Sequence, residues 1–585
     1  MAAILAGISM LEKVRRDAEK SIFEISILAK KANFDEKIWR EILAKNAELP
    51  RIFPISKIKN SLAEIEKIFD AKKNAEKIFK NFLTENSREI SVEKVEKILA
   101  EMEKIRGSIF KIEKNLKKIP AIFLSKKQIL ARKKILQKIK FWRENFANWP
   151  ILQKIFREQC AQNSRAAILL QNQNEPRPTG GFVGSILILD FSREKILWKF
   201  SDIYEIDRKI SAEKKIAAPD FFKNLSKKIS LRDANFWPNF PDSAAQIRDF
   251  FAAAGEKKPD TILAINLNLA REILRISGPI EIKKWGAKFD EKNFDVILQF
   301  LVEAKIAGRF AVKKPILDFI SAVFAKFKNP KILKNLPNFD AENFFKNKNF
   351  LANSENSALQ KLFEKWKIDG KIQQKNAADN FLFFDFVSIG ANKSEKFLWT
   401  KIWHDAKIFR DGRTENSLEI SRAHHGKKSE ILDLLHFNSL SKNLQNLLDD
   451  KIFWKLGLGE NRTVLRIFAP IDAKILSQKN PSGKISEKIS DDQKFKIFEI
   501  PAFVAPGENL KIFLKYETKI SRGSKNWRPY FLQLVGTPGR EKTTFLATIS
   551  TEKLGRFSAE TKNIGRPQNL RDDDFRAVIE FSPNF

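Results

Sequence analysis

Between about Leu11 and Cys160, apolar residues recur at steps of three and four, separated by Lys and Glu, and glycine is almost absent. That period is helical. From Ser91, a capping residue, to Pro120, Val95, Met102, Ile109 and Leu116 keep one seven-residue register and Ile98, Ile105, Ile112 and Ile119 keep a second. Such a seam requires another helix. Ile58, Leu62, Ile65, Ile68, Phe69, Ile78, Phe79 and Phe82 form an apolar stripe just upstream, which predicts an antiparallel helical hairpin. The Ser125 to Gln128 spacing starts a third helix, interrupted at Pro150.

After Cys160 the texture changes to short apolar runs (166–170, 183–191 and 196–200) between Gly, Pro and charged turns, which read as strands. A helix over 243–254, capped near Asp242 or Ser243, a strand over 261–267, a helix over 268–276 and a strand over 280–283 follow the Gly and Pro breaks. That alternation implies an α/β sheet. Helical patterns return at 305–336 and 357–366, as an insertion. Beyond Phe381 strands dominate: 381–387, 397–410, an Asp411-Gly412 turn, 417–422, 463–468, 495–500, 509–516, 530–535 and 544–549. The expected fold is α+β and multidomain: a helical hairpin or coiled-coil segment (1–160), an α/β domain (161–380, with an insertion at about 305–370), a β-sandwich-like domain (381–551) and a polar, flexible tail (552–585).

Composition adds a bias and several exclusions. Lys and Arg total 107 against 72 acidic residues, a formal charge of +35, which favours anionic partners. The 51 Phe against 3 Tyr and 3 Met, with abundant Lys, Ile and Asn, fit codon drift in an AT-rich genome as the main origin of that charge. Cys160 is the sole cysteine, so no internal disulfide or thiolate cluster forms. None of the four histidines has a zinc-site spacing, and the His424-His425 pair is placed at a strand end. Met1 to Leu11 is apolar but too short to cross ~30 Å of hydrocarbon, and its positive charges follow it where a signal peptide carries them first. The stretch is read as neither anchor nor export signal, and it is compatible with the end of a membrane helix that begins upstream.

The most distinctive segment is Leu170 to Ser185, LQNQNEPRPTGGFVGS, set between two predicted strands. Pro176 and Pro178 hold the backbone around Arg177 extended, while Gly180-Gly181 permits dihedrals closed to other residues and lets backbone N–H groups converge. Arg177 is therefore either a ligand for phosphate or carboxylate or a brace paired to Glu175 or to a later Asp. The block resembles the signature of the bacterial domain of unknown function 4012 family (DUF4012). Asp202 to Asp207 (DIYEID), Leu231 to Pro241 (LRDANFWPNFP), Ile276 to Ile280, Gly390 to Ser394 (GANKS, with one family glycine lost), Val504 to Gly507 and Tyr530 to Gly539 are similar to further family blocks in the same order. The resemblance implies an extracytoplasmic body anchored by a membrane helix and places the protein at the cell envelope. It brings no established biochemistry.

Two functions are in view. One is a non-catalytic binding or structural module for an anionic envelope polymer or lipid, consistent with the lack of a Walker loop, a GxSxG elbow or a dinucleotide turn. The other rests on a similarity in element order to the LytR-CpsA-Psr phosphotransferases, which act on lipid-pyrophosphate-linked polymers. That chemistry uses arginines for phosphate oxygens and carboxylates for Mg²⁺, the only cofactor either reading invokes. The candidate anion-binding residues are Arg177, Gly180, Gly181 and Arg232, and the candidate divalent-ion or bracing carboxylates are Asp202, Asp207 and Asp233. They are expected at one end of the middle sheet. No nucleic-acid module is recognisable.

Overall fold

The computed structural model describes residues 55–84, 89–119, 126–308, 311–332, 344–372, 380–409, 413–519, 530–535, 542–551, 568–569 and 575–579, apart from 224, 328, 330, 331, 346 and 491. The Met1 to Leu11 run and the Asp411-Gly412 turn lie outside the described residues. The protein is mixed α+β with several sheets. Two compact units divide it: Met1–Ser164 with Leu189–Trp198 and Ala322–Asp340, and Arg165–Ile188 with Lys199–Ser321 and Ala341–Phe585.

In the first unit, helices α1 (Ile55–Thr84), α2 (Val92–Lys117), α3 (Lys126–Phe146) and α4 (Trp149–Ala161) follow one another. Ser91 caps α2, its Oγ accepting from the Lys94 N–H at 3.4 Å. The expected seam is buried from Met102 to Ile119, while Val95 and Ile98 are half-buried. Two helices cover it. Ile65 and Ile68 of α1 and Ile135, Ile139, Trp142 and Phe146 of α3 pack into one cluster with Met102, Ile105, Ile109 and Ile112. A seam with both registers apolar is wider than one partner can cover, so the hairpin becomes a three-helix arrangement. Pro150 sits in the first turn of α4, where its missing N–H costs nothing. Strand β1 (Glu89–Ser91) pairs antiparallel with residues 195–197.

The next sheet is formed by β2 (Arg165–Asn172), β3 (Phe182–Phe191), β4 (Lys195–Asp202), β5 (Thr261–Ile265) and β6 (Phe350–Ser354), in the order β4-β3-β2-β5-β6. β2 and β5 run parallel, with Ala167 opposite Ile262. Helices α5 (Ile203–Asp207), α6 (Phe240–Ala253), α7 (Asn268–Ser277), α8 (Phe294–Glu303), α9 (Lys314–Lys326) and α10 (Ser357–Lys365) accompany it. Ala167, Leu169, Val183 and Ile186 of the sheet meet Ile247 and Phe251 of α6 in one core. α6 starts three residues earlier than expected, after Asn239, because Pro241 belongs to its first turn. The region expected as a helical insertion also supplies β6, paired antiparallel to β5.

Beyond residue 380 two six-stranded sheets form. One has the order β12-β13-β10-β7-β15-β18, built from β7 (Asn380–Ser388), β10 (Asn461–Pro470), β12 (Ser486–Ile489), β13 (Phe495–Val504), β15 (Tyr530–Val535) and β18 (Phe575–Ile579). The other has the order β11-β14-β9-β8-β16-β17, built from β8 (Leu398–Ile408), β9 (Arg413–His424), β11 (Lys474–Lys479), β14 (Asn509–Lys519), β16 (Thr543–Thr551) and β17 (Gln568–Asn569). Strict alternation along β8 and β9 puts Ile402, Leu418 and Ile420 inward, where they share a cluster with Phe384, Leu465, Phe498 and Ile512. β9 ends at His424, as expected. Strands β17 and β18 fall in the segment expected as a tail, most of whose residues lie outside the described ones. Among the described residues no helix is long and apolar enough to cross a membrane.

His404 of β8 is fully buried in this core, its Nε2 hydrogen-bonded to Asn416 Oδ1 at 3.0 Å. Burial pulls its pKa down to about 4. The unfolded chain takes up the proton near pH 6.5, so this contribution to stability is fully present above that pH. It is lost as pH falls towards about 4, in total by about 3 kcal/mol. His404→Gln should flatten that part of the stability–pH curve measured by urea unfolding. An unchanged slope would show that His404 is not its source.

Candidate functional site

β2 passes into β3 through a turn that is held mostly by its own backbone and by buried amides. Glu175 N–H donates to Asn172 O (3.2 Å), Phe182 N–H to Glu175 O (2.9 Å) and Gly180 N–H to Arg177 O (3.0 Å). Gly180 and Gly181 have φ of 127° and 131°. A Cβ at Gly181 would stand 2.3 Å from the Asn172 carbonyl carbon, so the chain closes on itself only with glycine there. Gln171 Nε2 donates to Thr179 Oγ1 (2.8 Å), Gln173 Nε2 to Asn268 Oδ1 (2.9 Å) and Asn235 Nδ2 to Gly181 O (2.7 Å). The glycines thus shape the turn, and the Gly180 N–H is used within it.

Arg177 is 2% exposed. Its Nη1 donates to Pro176 O and Ser388 O, both at 2.9 Å, and its Nη2 to Asp233 Oδ1 at 3.1 Å, with Glu175 Oε1 at 3.6 Å. The guanidinium carbon lies 5.6 Å from the Phe182 ring centroid and 5.4 Å from that of Phe222. Of the two roles open to Arg177 in the sequence, the geometry is that of a brace. Asp233 passes the contact on, since its Oδ2 lies 3.4 Å from Arg232 Nε, and Arg232 Nη1 donates to Asp207 Oδ2 at 2.9 Å. Burial pushes the Asp233 carboxyl above the usual range, opposed by both guanidiniums.

The structure therefore strings Arg177, Asp233, Arg232 and Asp207 into one chain of ion pairs. Asp202 stands apart from it, its Oδ1 capping α5 by accepting from the Tyr204 N–H at 3.2 Å. Arg232 differs from Arg177 in keeping 29% of its side chain exposed, beneath the half-exposed Tyr204 ring at 5.5 Å. Burial pushes the Tyr204 hydroxyl up to about 12, so it remains a donor at neutral pH. Among the described residues no group of three or more His, Cys, Asp and Glu converges as a metal site.

Sequence reasoning missed the lysines. Lys393 Nζ pairs with Glu175 Oε2 and lies 5.4 Å from the Phe182 ring centroid. Burial alone would raise the Glu175 carboxyl, but the charges of Lys393 and Arg177 outweigh it and hold it below the usual range. Lys396 Nζ reaches Asp295 Oδ2 at 2.8 Å, and Asn174 Nδ2 donates to the same oxygen at 2.8 Å. The signal was the GANKS turn, where Ala391 takes a φ of 54° at the position of the lost glycine. Nothing in the spacing named Glu175 as the partner. Farther along, Arg466 grips Asp385 through Nε (2.8 Å) and Nη2 (2.7 Å), and Nη2 also donates to Phe236 O (3.1 Å).

The fold is mixed α+β, and the turn between β2 and β3 encloses the buried end of a chain of ion pairs. Residues 162–301 match the family model described as a protein of unknown function (DUF4012), and the chain is a DUF4012 domain-containing protein. Among solved structures it is similar to a protein of Parabacteroides distasonis ATCC 8503 provisionally described as a protease, with 12% identity and a TM-score of 0.17 over 32% of this chain and 41% of that one. It is also similar to protein gbs0355 of Streptococcus agalactiae, with 14% identity and a TM-score of 0.21 over 38% of this chain and 80% of that one. The chain thus spans about two fifths of the first structure's length. No curated protein matches it.

Gly181→Ala should cost at least about 3 kcal/mol, because it combines a close backbone contact with a φ that L-residues avoid. Chemical denaturation measures this. A loss below about 1 kcal/mol would show that the turn relaxes and does not constrain the fold.

Proposed function

We propose that this chain is a cell-envelope-associated bacterial protein that binds its partner without transforming it, and that an anionic group of an envelope polymer or lipid docks at Arg232. The observation that carries the reading is the contrast between the two arginines: Arg177 is enclosed by protein acceptors, while Arg232 is held rigid from behind by Asp207 and Asp233 and keeps part of its guanidinium edge in solvent. A pre-oriented arginine binds an oxyanion with little further loss of freedom. Binding is favoured over phosphotransfer of the LytR-CpsA-Psr type because Asp207 and Asp233 are engaged by arginine and Asp202 by a helix cap. The layout that goes with this reading is a helical segment (1–160), an α/β domain (161–380) and a β-sandwich-like domain (381–551). The apolar cluster shared by the two later sheets supports the last of these. An extracytoplasmic, membrane-anchored location follows from the DUF4012 resemblance.

The test is cosedimentation of the full chain with vesicles carrying a polyprenyl pyrophosphate, against zwitterionic vesicles. Binding should weaken with salt, and Arg232→Gln, which can still hydrogen-bond Asp207, should lower affinity roughly tenfold with only a small change in Tm. Equal affinity of the variant would refute the assignment. Release of phosphate from the lipid would restore the phosphotransferase reading.

A further inference from the structure

The sheet that carries β8, β9 and β14 turns one face to the core and the other outward. Strand register sets three neighbouring rows on the outward face: Trp399, Ala423 and Asn509; Lys401, Ser421 and Lys511; Trp403, Glu419 and Phe513. Trp399 is 52% exposed, Trp403 51% and Phe513 42%, and no other described tryptophan is as open as these two. Ala423 and Ser421 are small and lie on the middle strand, so the longer side chains of β8 and β14 flank a shallow trough about 10 Å across, two strand spacings. Along its β8 side the two indoles are roughly 13 Å apart, four residues of strand. His425 meets the Trp399 ring edge-on, with centroids 6.4 Å apart, and Ser421 Oγ donates to Asn509 Oδ1 at 3.2 Å. Charge is divided along the face. At its far end Lys515 pairs with Glu415 at 2.6 Å and Arg413 with Glu517 at 3.3 Å, as on an ordinary solvated surface. Beside the aromatic rings, Lys401, Lys511 and Glu419 have no hydrogen-bond or ion-pair partner among the described residues.

Half-exposed indoles on a rigid sheet, with uncommitted ammoniums between them, suit a partner that carries ring faces and negative charge on one chain. We infer that this trough binds an acidic polysaccharide. The C–H groups on the face of a pyranose ring carry partial positive charge and meet the negative faces of the Trp399 and Trp403 indoles. An acidic substituent of the same chain lies over Ser421, between Lys401 and Lys511, which the register sets on either side of it. Sugar hydroxyls donate to the Glu419 carboxylate. That last contact separates this partner from others. Single-stranded DNA also satisfies aromatic rings and lysines, but its backbone offers Glu419 no donor and its phosphates are repelled by it. An anionic bilayer laid on the face would strip water from the same carboxylate without pairing it. The inference goes beyond the Arg232 reading and does not depend on it, since the surface and the residues are different.

The experiment is calorimetric titration of the full chain with oligogalacturonate, with an uncharged maltooligosaccharide and with oligo(dT). Oligogalacturonate should bind more tightly than either of the others. Trp399→Ala with Trp403→Ala should lower its affinity roughly tenfold or more with Tm nearly unchanged, because both rings are half in solvent. Lys401→Gln with Lys511→Gln should also weaken it and flatten its salt dependence, and this pair reads the same trough without touching the rings. Glu419→Gln should weaken oligogalacturonate and strengthen oligo(dT). Undetectable oligogalacturonate binding overturns the assignment. So does equal affinity of the tryptophan variant and the wild type, which would leave only the diffuse attraction of a basic protein. Tighter binding of oligo(dT), lost in the tryptophan variant, would make the face a nucleic-acid surface instead. Loss of cosedimentation with polyprenyl pyrophosphate vesicles in the tryptophan variant would make it a lipid surface. Loss of oligogalacturonate binding in Arg232→Gln but not in the tryptophan variant would place the polymer at Arg232, leaving that reading intact and refuting this one.

Discussion

A guanidinium enclosed by protein must have its charge compensated, and Arg177 is where this chain meets that constraint, through Nη1 and Nη2, with Nε left without a hydrogen bond. The cation draws on the Ser388 carbonyl at the end of β7, on Asp233 of the 231–236 segment and on Glu175 of its own turn. Three stretches far apart in sequence are thereby fixed to one another. Breaking one partner of such a group costs far more than the pair contributes net, because the survivor is left charged and unsolvated. The rest of the turn is tied by neutral groups, as the amide nitrogens of Gln171, Gln173 and Asn235 find partners inside, while Asn235 Oδ1 has none. Pairing carries through Asp233 to Arg232 and Asp207, and it reaches water at Arg232.

That gradient from enclosed to exposed separates architecture from function. The formal charge of +35 gives a diffuse attraction to anions, which salt screens. A specific site needs cations whose positions are set beforehand and whose charge is not already used. Arg232 satisfies the first condition through its carboxylate supports and keeps part of its side chain in solvent. Lys393 and Lys396 lie between these limits, each matched by a buried carboxylate, Glu175 and Asp295.

How much of this was legible in the sequence follows from what each feature depends on. Local periodicity marked the buried face of α2 from Met102 to Ile119, and alternation marked β8 and β9, because burial on one face imposes those periods directly. β11 and β12 carried no such mark, since they are largely exposed edge strands whose few apolar residues do not alternate. The third helix on the α2 seam and the edge strand β6 depend on tertiary partners that local pattern does not name. At the candidate site the residue types and the glycine turn were visible, and so was the choice for Arg177 between ligand and brace. The choice itself depended on Ser388, 211 positions away, and the Lys393–Glu175 pair spans 218. No spacing rule reaches across such distances.

The central claim is that the Arg177 guanidinium braces the fold and that anion binding lies elsewhere on the same network. A double-mutant cycle of Arg177→Met with Asp233→Asn, read by urea unfolding with pyrophosphate titration of each variant that remains folded, tests it most directly. The account predicts a coupling energy of about 2 kcal/mol or more between the two positions, with pyrophosphate affinity in Arg177→Met, where Asp233 still supports Arg232, close to that of the wild type. Independent, small effects on stability together with loss of pyrophosphate binding in Arg177→Met would contradict it and return Arg177 to the role of ligand.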